Sequence, residues 1–112
     1  MLKLFNRKMG DPGKPSYEFD EPENTACFIC DHVFSKTRPI LYAVHGEDGD
    51  WQFLCGENDH GDESIRLISL LQVIERDGTV NALHGMPRGV CAERTAVGDE
   101  WVQRGHGDQA WD

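Results

Sequence analysis

Pro39-Ile-Leu-Tyr-Ala-Val-His-Gly-Glu-Asp-Gly-Asp-Trp-Gln-Phe-Leu-Cys55 holds two β-rich runs around a polar turn. Pro39–His45 and Trp51–Cys55 carry the branched and aromatic residues that suit a pleated surface, and Gly46–Asp50 between them contains Asp48-Gly49, a pair at home in a tight reversal. The segment reads as a β-hairpin. Trp51, Phe53 and Cys55 alternate, so they share one face of the second strand, expected to be core.

Working toward the N-terminus, Thr25-Ala-Cys-Phe-Ile-Cys-Asp-His-Val-Phe34 reads as one strand buried on both faces. Toward the C-terminus, Ile65–Leu70 reads as a short strand. Ser69 and Gln72 then have the spacing of a capping box, predicting a helix that turns Leu70, Val73 and Ile74 inward and stops at Asp77-Gly78. Thr79–His84 reads as one more helical turn. Gly85-Met-Pro87 breaks the chain before Gly89–Thr95, which alternates with Val90, Ala92 and Arg94 on one face. Trp101 is expected to pack the end of the chain back onto the body. Strands around one or two short helices, without regular βαβ alternation, predict a single α+β domain with a small, mainly antiparallel sheet.

Residues 10–24 contain three prolines, two glycines and five acids. That composition disfavours both helix interior and sheet ladder, so residues 1–24 are expected as a flexible arm, 25–103 as the domain and 104–112 as a tail. With 20 acidic and 11 basic side chains the net charge is −9. Such a surface repels phosphate, which argues against nucleic acid and anionic membranes as partners. The first ten residues lack a continuous apolar stretch, so a cytoplasmic location is expected, with the four cysteines as free thiols or metal ligands.

Cys27-x-x-Cys30 is the strongest chemical signal, and Cys55, Cys91, His32, His45 and His60 are available to complete a zinc site; the set expected, if zinc is bound, is Cys27, Cys30, Cys55 and His60. Against it, positions three apart on a strand face opposite ways, which favours buried thiols and no metal. A catalytic cysteine needs a histidine beside it, and Cys55 with His60 or Cys91 with His84 are the candidate pairs; apolar surroundings argue against both. No phosphate-binding glycine loop and no twelve-residue calcium loop occurs. The expectation is therefore no catalytic residues and no cofactor. Acidity is uneven instead. Glu47, Asp48, Asp50, Glu57, Asp59, Asp62 and Glu63 crowd the hairpin turn and the loop after its second strand, at opposite ends, and are the candidate partner-binding residues.

Three segments, Asp48-Gly-Asp-Trp-Gln-Phe-Leu-Cys-Gly56, Ser69-Leu-Leu-Gln-Val-Ile-Glu-Arg-Asp77 and Met86-Pro-Arg-Gly-Val-Cys-Ala-Glu-Arg94, make residues 25–103 resemble a bacterial domain family. That family, formerly a domain of unknown function, is grouped as the thirty-third class of predicted immunity proteins of polymorphic toxin systems. The resemblance implies a non-enzymatic domain that binds a toxin or other protein, with no catalytic residues to transfer. The acidity makes a basic protein the expected partner. The alternative is a small zinc-stabilised structural or regulatory domain.

Overall fold

In the computed structural model, residues 16–57 and 65–105 are described. The elements run β1 (Ala26–Cys30), α1 (Asp31–Phe34), β2 (Tyr42–His45), β3 (Trp51–Leu54), β4 (Ile65–Ser69), α2 (Leu70–Arg76), a 3-10 helix (Gly78–Leu83), β5 (Val90–Glu93) and β6 (Val102–Gly105). One six-stranded sheet has the order β4-β1-β3-β2-β5-β6.

The hairpin forms as its sequence predicts. β2 and β3 pair antiparallel from Tyr42–Leu54 to His45–Trp51. Gly46 N–H donates to the Asp50 carbonyl at 2.8 Å and Gly49 N–H to the Gly46 carbonyl at 2.9 Å. Gly49 has φ +96°, and a Cβ there would lie 3.0 Å from the Arg88 guanidinium, so the turn needs glycine for backbone and for space alike.

The sheet is mainly antiparallel, as expected, with one parallel pairing that makes it mixed: β1 pairs parallel with β3, Cys27 opposite Trp51 and Ile29 opposite Phe53. The other four pairings are antiparallel. Two reversals separate β1 from β3, so they point the same way, and β3 rather than β2 takes the place beside β1. Three short helical segments occur where one or two were expected.

The strand expected over Thr25–Phe34 ends at Cys30. Asp31 opens a single helical turn, α1, its carboxylate favourable at the helix start. Ser35 donates from both N–H and Oγ to the Asp31 carbonyl at 2.9 Å, and Lys36, at φ +65°, ends the turn. Ser69, by contrast, does what its spacing predicts. Its Oγ accepts the Gln72 N–H at 3.1 Å while the Gln72 side chain accepts the Ser69 N–H at 2.9 Å, and Leu70, Val73 and Ile74 are fully buried.

One core joins Cys27, Ile29, Ala43, Trp51, Phe53 and Ala92 of the sheet to Leu70, Val73 and Ile74 of α2 and to Val80 and Leu83 of the 3-10 helix. It extends into the stretch expected as a loose arm. Phe19 is 6% exposed and meets Trp51 edge-on at 5.1 Å between ring centroids. The Glu21 carboxylate accepts the Trp51 indole N–H at 2.8 Å. Asn81 clamps the same stretch, accepting Glu18 N–H at 3.0 Å and donating to the Ser16 carbonyl at 2.6 Å. The composition that suggested an arm weighs prolines and charges, and it is overridden by two aromatics and one carboxylate that have partners. Residues 1–15 lie outside the described residues. At the other end β6 runs through Arg104 and Gly105, past the expected tail boundary at 104, because Val90 and Cys91 of β5 offer them a ladder.

Candidate functional site

Where β1 ends and α1 begins, the chain turns so that Cys30 and His32 approach Cys55, the residue after β3. One donor atom of each, the two sulfurs and an imidazole nitrogen, lies within 4.8 Å of the others. Cys30 and Cys55 are buried and His32 is half-buried. The His32 Nδ1 is 3.7 Å from the Cys55 sulfur. Arg38 comes over both, its Nη1 3.3 Å from His32 Nδ1 and 3.9 Å from the Cys55 sulfur. A guanidinium only donates, so the contact makes Nδ1 the acceptor and places the ring proton on Nε2. Burial pushes the Cys30 thiol up; backbone N–H groups of Val33 and Cys55 directed at its sulfur oppose that, and the neighbouring Cys55 thiol adds to it.

Of the set read from sequence for the case that zinc is bound, Cys30 and Cys55 come together. Cys27 stands three residues before Cys30, about 10 Å along the strand and on its other side, beside Trp51. Its thiol is pushed up to about 12, first by burial and then by Glu21 and Asp50, and it contacts the Thr25 carbonyl. His60 lies outside the described residues. His32, which the expected set did not include, stands beside them, because the helical turn brings position 32 back toward the strand end. The spacing Cys30-x-His32 at a strand end was the available signal; Arg38 carried none.

Of the candidate catalytic pairs, the one with His60 falls outside the described residues. Cys55 meets His32, and Cys91 is buried beside the Tyr42 hydroxyl, while His84 is exposed after the 3-10 helix. His45 is structural: its ring stacks on Trp51 at 4.0 Å, its Nδ1 contacts the Met86 carbonyl at 2.7 Å, and its Nε2 lies 3.8 Å from Glu21.

Of the acidic residues, Glu47, Asp48 and Asp50 occupy the β2–β3 turn and Glu57 follows β3 at the opposite end, all exposed. Asp59, Asp62 and Glu63 lie outside the described residues. Arg88 packs over the turn at Gly49 and Glu47 lies against Gly89, so a cation interrupts this acidic end.

The register also aligns Leu67, Phe28, Gln52, Val44, Cys91 and Arg104 on the sheet face away from the core. At its β4 edge, Leu67 is 61% and Ile65 48% exposed. Phe34 of α1 stands near, with the Arg66 guanidinium 4.8 Å above its ring, and Arg66 pairs with Asp31 at 3.1 Å. Among the described residues, no helix is long and apolar enough to cross a membrane.

No protein family, no curated protein and no solved structure matches this chain.

Proposed function

We propose that this chain is a non-enzymatic protein-binding domain that receives a basic protein partner along β4. The observation that carries this reading is the exposure of Leu67 and Ile65 on a strand whose outer edge is unpaired among the described residues. Such an edge offers backbone donors and acceptors to an added strand, with the apolar side chains as anchors. A second copy is a poor occupant, because each chain brings a net charge of −9; a basic partner is attracted by the same charge. The raised thiols of Cys27 and Cys30 and the structural engagement of His45 fit a domain without a nucleophile. The three segments that resemble immunity-type domains point the same way.

The test is kinetic binding to the protein encoded by the adjacent gene, or to a purified basic partner, with Ile65→Lys/Leu67→Lys against the unaltered chain. Both residues are exposed, so the fold should persist by far-ultraviolet dichroism. Dissociation should quicken by at least about tenfold, as expected when apolar anchors are lost. Unchanged kinetics in a folded double variant would remove β4 from the interface.

A further inference from the structure

We propose that Cys30, His32 and Cys55 form a binding site for one thiophilic divalent ion, zinc above all, with two thiolates and one imidazole as ligands and a fourth position left to water or another donor. The geometry fits the ion. Zinc held tetrahedrally at about 2.3 Å from sulfur and about 2.1 Å from nitrogen sets a sulfur and a nitrogen roughly 3.6 Å apart and two sulfurs roughly 3.8 Å apart. The Cys55 sulfur and His32 Nδ1 already stand at 3.7 Å, and all three donor atoms lie within 4.8 Å of one another. Closing the site therefore takes side-chain adjustments of about an ångström or less.

Backbone donors offset part of the cost that burial sets on a thiolate at Cys30. Backbone N–H groups of Val33 and Cys55 face the Cys30 sulfur, the arrangement that stabilises a sulfur anion through N–H···S bonds. The Nδ1 lone pair of His32 is unprotonated, as its contact with Arg38 requires. Arg38 thus holds the lone pair that the ion takes, and on binding it has to yield it. Binding forms two metal–sulfur bonds and one metal–nitrogen bond and releases the two thiol protons, so the ligand set is neutral overall with a divalent ion. Two sulfurs with one imidazole select zinc over magnesium or calcium, which take oxygen ligands. Cys30 stands opposite Ile65 of β4 in the register, but neither reading rests on the other, and either stands if the other fails.

The experiment is anaerobic titration of the reduced, full-length chain with cobalt(II), followed by zinc(II). We expect one cobalt per chain, with the thiolate-to-cobalt charge-transfer absorption and the strong visible bands of a tetrahedral site, displaced by one equivalent of zinc. Cys30→Ala, His32→Gln and Cys55→Ala should each lose the tetrahedral spectrum or weaken cobalt binding by at least about tenfold, whereas Cys91→Ala should keep both. Should a cysteine variant fail to fold, X-ray absorption on the zinc-loaded unaltered chain decides, with two sulfurs and at least one imidazole nitrogen expected in the shell. Cobalt bound without thiolate charge transfer, a shell of oxygen and nitrogen alone, or a spectrum indifferent to His32→Gln and to both cysteine variants in folded protein would overturn the assignment.

Discussion

Arg94 shows how one side chain ties several elements together. It is 6% exposed; its Nη2 meets the Asp77 carboxylate at 2.7 Å and the Ile40 carbonyl at 2.8 Å, and its Nη1 donates to the Thr79 hydroxyl at 2.8 Å. Its guanidinium lies 4.2 Å over the Trp101 ring. Removing it leaves the Asp77 charge and the Ile40 carbonyl without their buried donor. Arg94→Met should lower unfolding free energy by about 3–5 kcal/mol in urea titration, and Arg94→Lys should rescue little, since an ammonium cannot reach three acceptors in a plane. A loss below about 1 kcal/mol would mean that the cluster rearranges. Alkaline pH acts through other residues. Burial, with Glu21 next, pushes Tyr17 from 10.0 to about 12. Burial and the Cys91 thiol do the same to Tyr42, and burial with Glu21 and Asp50 moves Cys27 from 9.0 to about 12. These groups lose protons in the unfolded chain before they do in the folded one, so their contribution to stability is complete below about pH 9 and is lost as pH rises toward about 12. The urea midpoint should fall steadily across that window, and less steeply in Tyr17→Phe. A flat profile would show that these groups ionise alike in both states.

At the scale of elements, α2 and the segment before β1 make opposite cases. The reciprocal bonds of Ser69 and Gln72 satisfy two backbone donors at the start of α2, and Ser69→Ala should cost about 1 kcal/mol in the same titration. Residues 16–24 enter the core through Phe19 and are held by Tyr17, whose hydroxyl donates to the Glu21 carbonyl at 2.6 Å. A chain beginning at Thr25 loses Phe19, which by itself is worth about 3 kcal/mol when a large aromatic is taken from a core, and leaves the Trp51 indole without its carboxylate. Its thermal midpoint should drop by at least about 10 °C, while a chain beginning at Ser16 keeps all of these contacts. Equal melting of the chain from Thr25 and the full chain would show that the docking is worth little.

For the whole molecule, the proposed docking would have charge govern approach and apolar contact govern retention. Exposed carboxylates are screened over about 8 Å at physiological salt, so in that proposal Asp48, Asp50 and Glu57 would steer a basic partner more than hold it. Asp48→Asn with Asp50→Asn and Glu57→Gln removes three charges while leaving the Asp48 side-chain acceptor that caps the Asp50 N–H at 3.1 Å. Association should slow by about three- to tenfold at low salt and converge on the unaltered rate at high salt, with dissociation nearly unchanged. An unaltered association rate at low salt would exclude the turn from encounter.

Local signals were legible wherever the cause is local. The Asp48-Gly49 turn, the alternation of Trp51 and Phe53, and the Ser69–Gln72 box depend on neighbours within a few residues, and each forms as the sequence predicts. The opposite facing of Cys27 and Cys30 was legible for the same reason, since the pleat alone dictates it. Tertiary structure alone decided the rest. β3 lies beside β1, although no residue in either strand names its partner; pairing is a competition settled by which arrangement buries Trp51, Phe53 and Ile29 together. The same pairing carries Cys55 to the end of β1, where the turn at Asp31 presents His32, and so joins three residues spread over 26 positions of sequence. Phe19, read as part of an arm by its proline- and acid-rich context, is core because Trp51 offers it a ring edge. Spacing in sequence measures distance along the chain, and a site built across strands is fixed by distances that only packing creates.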